Sequence, residues 1–260
     1  MNEIHPTAII SDKAIIGQGN RIGPYAIIDD DVQLGDNNEI ASHVVVKKYS
    51  RLGNNNTLAE HVVLAGLPQD LGFADKPTYV ELGDGNTLRE GVTINRATKD
   101  NDATRLGNSN YLMALVHVGH DCQLGNNIII APSSGIGGHV HINDKAFISG
   151  GVMVHQFCQI GSFAMLGGNS KITQGCLPFM ITDGVPATVR GLNVVGLKRA
   201  GFKLDTIKAL KEAYRILFRT SLSLEERLKD ISTIENEQAQ SLASFIRNSK
   251  RGFHRDRPTE

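Results

Sequence analysis

An aliphatic residue falls at nearly every sixth position from Ile4 to Ile172, and nothing else in the chain restricts its fold so tightly. The run passes through Ile10, Ile16, Ile22, Ile28, Leu34, Ile40, Val46, Leu52, Leu58 and Leu64. It resumes at Leu82, Leu88 and Ile94, and continues from Leu106 to Ile172; only Asp70, Lys76 and Asp100 break the phase. An α-helix repeats every 3.6 residues and a strand every two, so sustained sixes belong to neither alone. Four residues after each aliphatic comes something small or β-branched, among them Ala14, Ala26, Val32, Val116, Val140 and Val152. One large and one small inward residue per hexad describe a narrow prism of short parallel strands. This is the hexapeptide parallel β-helix, with about 18 residues to a triangular coil. Glycine often follows the aliphatic, as at Gly17, Gly35, Gly53 and Gly119, where a corner would need relaxed φ/ψ demands.

Lys and Arg total 27, as do Asp and Glu, so no basic field points to nucleic acid. The N-terminus has no basic segment leading into an apolar run, and no later segment is apolar enough to span a membrane. The expectation is a soluble, cytoplasmic protein without stable membrane insertion. Cys122, Cys158 and Cys176 lack a CxxC spacing and fall in the small inward slot, which reads as core filling. Segments 66–79 and 98–105 are polar, rich in turn formers, and interrupt without shifting phase. They read as loops thrown out from a corner, where binding groups are often carried.

The prism is expected over residues 1–190 and a helical domain over 191–260. Asp205 is placed to N-cap a helix whose apolar stripe includes Ile207, Leu210, Tyr214 and Leu217. Ser223 and Glu226 form a capping box for a second helix, and a third lies near 236–248. The last ten residues, RGFHRDRPTE, read as loose. A solenoid's open end must be covered, so this region is at least a cap.

The chemistry-bearing residues crowd between Leu112 and Gln156. Residues one coil apart stack, so His120, Gly138 and Gln156 form one column and Asp121 with His139 the next. His120 and His139 are then about 5 Å apart along the axis, and Gln156 about 10 Å from His120. Such a face suits general-base acyl transfer: His120 takes a proton from an attacking hydroxyl, Asp121 fixes its tautomer, and the Gly138 N–H meets the oxyanion. Two other readings stand beside it. One is a zinc enzyme like the trimeric carbonic anhydrases, with His117, His120 and His139 as ligands; the other is a scaffold without activity. His5, His43, His61 and His254 read as surface residues.

Taken together, HVGHDCQLG, GGHV, VHQFCQIG and GLNVVGLKRAGF resemble the UDP-N-acetylglucosamine O-acyltransferases of lipid A biosynthesis in Gram-negative bacteria. The resemblance covers essentially the whole chain, and hexads beginning at Ile4 favour the O-acyltransferase over the related N-acyltransferase, which carries an extra N-terminal domain. It implies left-handed winding, against the usual crossover rule, and transfer of a 3-hydroxyacyl chain from acyl carrier protein to the 3-position of a UDP-sugar. His120 resembles the general base, Asp121 its orienting group and Gly138 the oxyanion donor. Gln69, Asp70, His117, His139, His155, Gln156, Asn193 and Arg199 match substrate-binding positions, and Gly168 the end of the acyl groove. No metal or other cofactor is implied. The family pattern is a homotrimer with sites between subunits, so the Asp70 loop and the His120 face are expected to come from different chains. The chain departs from that pattern at Gly72, Val195 and Ala200, where a lysine, a glutamate and a second arginine stand. These departures open the alternative of a 3-amino UDP-sugar acceptor.

Overall fold

A computed structural model of the chain describes residues 1–256. The hexads fold as a left-handed parallel β-helix whose strands are mostly two residues long. The first face runs from Glu3–Ile4 and holds 11 strands. The second holds nine, from Ile9–Ile10 to Lys171–Ile172, and the third eight, from Ile15–Ile16 to Gln159–Ile160. Residues 18 apart pair in register, Ile4 with Ile22 and Ile130 with Ile148. Each in-phase aliphatic therefore stacks on its counterpart one coil away. Leu64, Leu88, Ile130, Ile136 and Ile148 are wholly buried, each contributing about 1.5–3 kcal/mol.

The glycines after the aliphatics have a purpose different from the expected one. The residue that turns each corner in the left-handed region stands two places later and is usually not glycine: Asp121 has φ 60°, His139 59° and Phe157 66°. Gly35 is needed instead for close approach, because a Cβ there would lie 2.6 Å from the Gly53 carbonyl oxygen in the next coil. The small inward slot also varies by edge. Where the third face turns into the first it holds Asn20, Asn38, Asn56, Asn86 and Asn110, all buried. From Asn20 to Asn86 each Oδ1 accepts the backbone N–H of the next asparagine, at 2.8 Å for Asn38, 2.9 Å for Asn56 and Asn86, and 3.0 Å for Asn110, and Asn110 Oδ1 accepts the Ile128 N–H at 2.9 Å. Polar groups buried inside the prism are thereby satisfied along its length.

Leu82 pairs with Leu52 and Leu106 with Leu82, 30 and 24 residues on where an ordinary coil takes 18. The protruding loops are 67–78 and 96–102, shorter than expected, because Gly66 and Tyr79 end and begin strands and Ala103–Leu106 is a strand. Ala103 and Thr104 are fully buried. The last coil is two residues short: Ile160 bridges to Cys176 and Leu166 pairs with Thr182. The winding thus outlasts the sequence phase, which stops at Ile172. Met180–Gly184 then turns back as an antiparallel hairpin with Ala187–Leu192. The expected domain limit at 190/191 falls inside that strand, and the helical region begins at Val194.

Among the described residues four helices follow: α1 Val194–Arg199, α2 Leu204–Arg219, α3 Leu224–Ser232 and α4 Glu237–Asn248. Helix α1 went unread in the sequence; its signal was the Asn193 N-cap, whose side chain accepts from Gly196 N. The capping box at Ser223 and Glu226 is formed. Asp205 does not cap α2, because Leu204 is already helical and Lys203 holds the cap position. Asp205 lies in the first turn, beside Lys208 at 3.2 Å, where its charge complements the helix dipole. Ala213, Leu217, Leu228, Ile231, Leu242 and Ile246 pack with Leu177, Met180 and Val189, covering the open end of the prism. The tail is tied down rather than loose as far as Asp256. Phe253 and His254 are buried, and residues 253 and 256 bridge to Gly175 and Val189. His254 is therefore not a surface residue. Residues 257–260, the rest of that expectation, fall outside the described residues. Among the described residues no helix is long and apolar enough to cross a membrane.

Candidate active site

One edge of the prism, where the second face turns into the third, carries nearly every unusual side chain. In chain order it holds loop 67–78, loop 96–102, then the corners at 119–121, 137–139 and 155–157. His120 and Asp121 sit at the corner between His117–Val118 and Gln123–Leu124. His120 Nδ1 is 2.7 Å from Asp121 Oδ2. An ionised carboxylate only accepts, so Nδ1 carries the proton and Nε2 is left as the free acceptor. The ring lies across Gly138: a Cβ there would stand 2.5 Å from His120 Cε1 and 2.7 Å from Nε2. Only glycine leaves room for the imidazole. Among the described residues, the Gly138 N–H has no hydrogen-bond acceptor.

His139 stacks one storey on, as the column reading expected. Its ring meets His120 edge to face with centroids 5.1 Å apart, and its Nε2 is 3.5 Å from Asp121 Oδ2. It also lies flat against Phe157 at 4.5 Å. Phe157 was missed in the sequence, although it stands one coil after His139 and the same stacking would have found it. Asp121 has two further partners. Thr98 donates to its carboxylate twice, from the backbone N–H at 3.0 Å and from the hydroxyl at 2.7 Å. Thr104 Oγ1 accepts the Asp121 N–H at 2.8 Å. Nothing in the spacing pointed to Thr98, because it lies on an insertion outside the repeat. Burial works against the Asp121 charge, but the hydrogen bonds from His120 and Thr98 outweigh it and hold the carboxyl below the usual carboxylate range.

His117 lies on the second face with Nδ1 2.8 Å from Thr93 Oγ1. Burial, with the nearby His120 charge, pushes it below the ordinary histidine value. His155 and Gln156 are exposed on the same edge. Gln69 and Asp70 are exposed on loop 67–78, where Asp70 Oδ1 accepts the Gly72 N–H at 2.8 Å. Arg96, only 3% exposed, fastens that loop to the body. It donates to the Lys76 carbonyl at 2.9 Å, pairs with Asp75, and lies over the rings of Tyr49 and Phe73.

Three expected site residues are on other edges. Gly168 is exposed where the first face turns into the second. Asn193 lies at the third edge with both ends of its amide engaged within the chain, by Gly196 N at 3.1 Å and the Phe163 carbonyl at 3.0 Å. Arg199 is exposed at the end of the same short helix.

Among the described residues, donor atoms of His120, Asp121 and His139 lie within 4.8 Å of one another. His117 is not in that group, so this chain does not assemble the three-histidine ligand set of the zinc reading. The three cysteines are buried, as expected; burial pushes the Cys122 thiol up to about 12 and Cys158 to about 11.

The family model described as UDP-N-acetylglucosamine O-acyltransferase, domain 2, matches residues 176–254. The model for bacterial transferase hexapeptide repeats matches 3–48 and 103–138. The acyl-[acyl-carrier-protein]–UDP-N-acetylglucosamine O-acyltransferase of Burkholderia mallei is 43% identical over 199 residues, 74% of this chain and 76% of the relative. That of Alkalilimnicola ehrlichii is 44% identical over 191 residues, 72% and 74%. Among solved structures, the UDP-N-acetylglucosamine acyltransferase of Bacteroides fragilis superposes with a TM-score of 0.94 at 37% identity, covering 96% of this chain and 99% of that one. The Moraxella catarrhalis UDP-N-acetylglucosamine O-acyltransferase gives 0.92 at 40% identity, over 96% and 98%.

Proposed function

The chain belongs to the UDP-N-acetylglucosamine O-acyltransferase family, and from that premise we propose that it opens lipid A synthesis by moving a 3-hydroxyacyl chain from acyl carrier protein to the sugar 3-hydroxyl, with His120 as general base. The supporting observation is the 2.7 Å bond between His120 Nδ1 and Asp121 Oδ2, which leaves Nε2 to accept a proton. Nε2 takes the proton of the 3-hydroxyl as that oxygen attacks the thioester carbonyl carbon. The tetrahedral oxyanion receives the Gly138 N–H. Collapse breaks the C–S bond, the imidazolium returns its proton to the departing thiolate, and O-acyl sugar nucleotide and carrier thiol leave.

The working enzyme is a cytoplasmic homotrimer with each site shared between neighbouring chains. The distribution of the expected site residues supports this: His120, Gly168 and the Asn193–Arg199 helix occupy three different edges, and a neighbouring copy can bring different edges to one cleft. In that cleft Gln69, Asp70, His117, His139, His155, Gln156 and Arg199 hold the sugar nucleotide, and Gly168 leaves the acyl groove open. Asn193 shapes the site by starting α1, since its amide is already committed.

The test uses mass spectrometry of the products formed from UDP-N-acetylglucosamine, and from its 3-amino analogue, with a panel of acyl carrier thioesters. O-acylation with 3-hydroxyacyl donors is expected, and is abolished by His120→Ala in a protein that still assembles. Turnover retained in that variant removes His120 as the base. Acylation of the 3-amino sugar alone would replace the acceptor.

A further inference from the structure

We infer that Thr98, on the insertion at 96–102, is a positioning residue for the acyl transfer, holding the Asp121 carboxylate in the plane and charge state that keep His120 aimed at its substrate. The inference rests on the reading of His120 as the base, and it adds a third member to what would otherwise be a two-residue device.

Asp121 Oδ2 accepts two hydrogen bonds, from His120 Nδ1–H at 2.7 Å and from the Thr98 hydroxyl at 2.7 Å. Oδ1 accepts the Thr98 backbone N–H at 3.0 Å. One residue therefore grips both carboxylate oxygens, and a carboxylate held at both ends cannot swing about its Cβ–Cγ bond. From the other side, Thr104 Oγ1 anchors the Asp121 N–H at 2.8 Å, pinning the left-handed corner on which the carboxylate is carried. The titratable groups around it are His120, His139 and Asp102, and none of these replaces the hydroxyl.

The hydroxyl also tunes charge. A second donor on Oδ2 draws electron density from the oxygen that faces His120, so the carboxylate orients the imidazole without taking its proton. Removing the donor leaves a stronger acceptor, which favours the imidazolium. The sign of the effect follows: the base is freed only at higher pH. The same insertion carries Arg96, which clamps the loop of Asp70. Residues 96–98 thus buckle the base to the expected substrate loop.

Thr98→Val keeps the shape and the backbone N–H while deleting the hydroxyl. Its kcat is expected to fall about ten-fold at neutral pH, with both KM values unchanged within about two-fold. The acidic limb of its kcat–pH profile moves to higher pH. Thr98→Ser restores both, and in an Asp121→Asn background Thr98→Val costs no more than about two-fold. An unmoved acidic limb with undiminished kcat, or a lowered melting temperature alone, overturns the assignment to Thr98 while His120→Ala remains inactive. Turnover in His120→Ala instead overturns the base reading beneath it.

Discussion

Gly138 lies directly under the imidazole of His120, one coil along the prism, so that a Cβ there would stand 2.5 Å from the ring. The absence of a side chain at 138 and the presence of one at 120 are a single adaptation. A narrow prism with about 5 Å between storeys has no other way to lay a ring flat along its edge.

Gly138→Ala is expected to fold, because residue 138 faces outward, but to displace the His120 ring. A misplacement of about 1 Å suffices to lower kcat by roughly a hundred-fold. Steady-state kinetics beside a melting curve checks this; near-normal kcat would mean that the ring has room to spare.

Arg96→Gln should loosen loop 67–78 and leave the prism intact. The guanidinium is nearly all buried, holding Asp75 and the Lys76 carbonyl. Its loss costs about 1–3 kcal/mol. With Asp70 on that loop, KM for the nucleotide sugar is expected to rise about ten-fold while kcat changes little. Limited proteolysis within 67–78 reports the loosening independently.

His254 makes stability depend on pH. Its Nε2 accepts the N–H groups of Thr173 at 3.3 Å and Gln174 at 3.2 Å, which only the neutral ring can do. Burial, partly offset by the Ala187 backbone, lowers its pKa. The unfolded chain, titrating near ~6.5, then binds a proton before the folded chain does. The histidine's contribution is complete above that value and shrinks as pH falls toward the folded value. Thermal melts at pH 7 and pH 5 should show a steeper loss in the native protein than in His254→Gln. Equal slopes would contradict this.

Asn56→Ala removes one rung of the internal amide column, leaving the Asn86 N–H buried without its acceptor. The expected loss is about 2 kcal/mol in chemical denaturation, with activity per folded molecule unchanged because the rung lies on another edge from His120.

The prism was legible in the chain because every coil repeats the same demand: one large and one small residue inward. That regularity also carried the His120–His139 stacking, since position in the repeat is position in space. It failed wherever the chain left the repeat. Thr98 and Arg96 sit on an insertion, where contact is decided by how a loop folds back and not by period. The last coil was lost to a two-residue deletion, which ended the phase at Ile172 while the winding ran on to Thr182. His254 was misread because a polar tail gave no sign that its imidazole would cap two backbone amides. The asparagine column was present once per coil from Asn20 to Asn110, hidden by grouping all the small inward slots together.

Both insertions leave and rejoin the prism with the aliphatics of the flanking coils still paired, at the expense of one bulge between Leu64 and Gly66. Such a corner is indifferent to how much chain is spliced into it, so long as the two ends return to adjacent strands. Segment 67–78 can therefore be exchanged for one of another length, provided the newcomer still offers the buried Arg96 an acid and a carbonyl in place of Asp75 and Lys76.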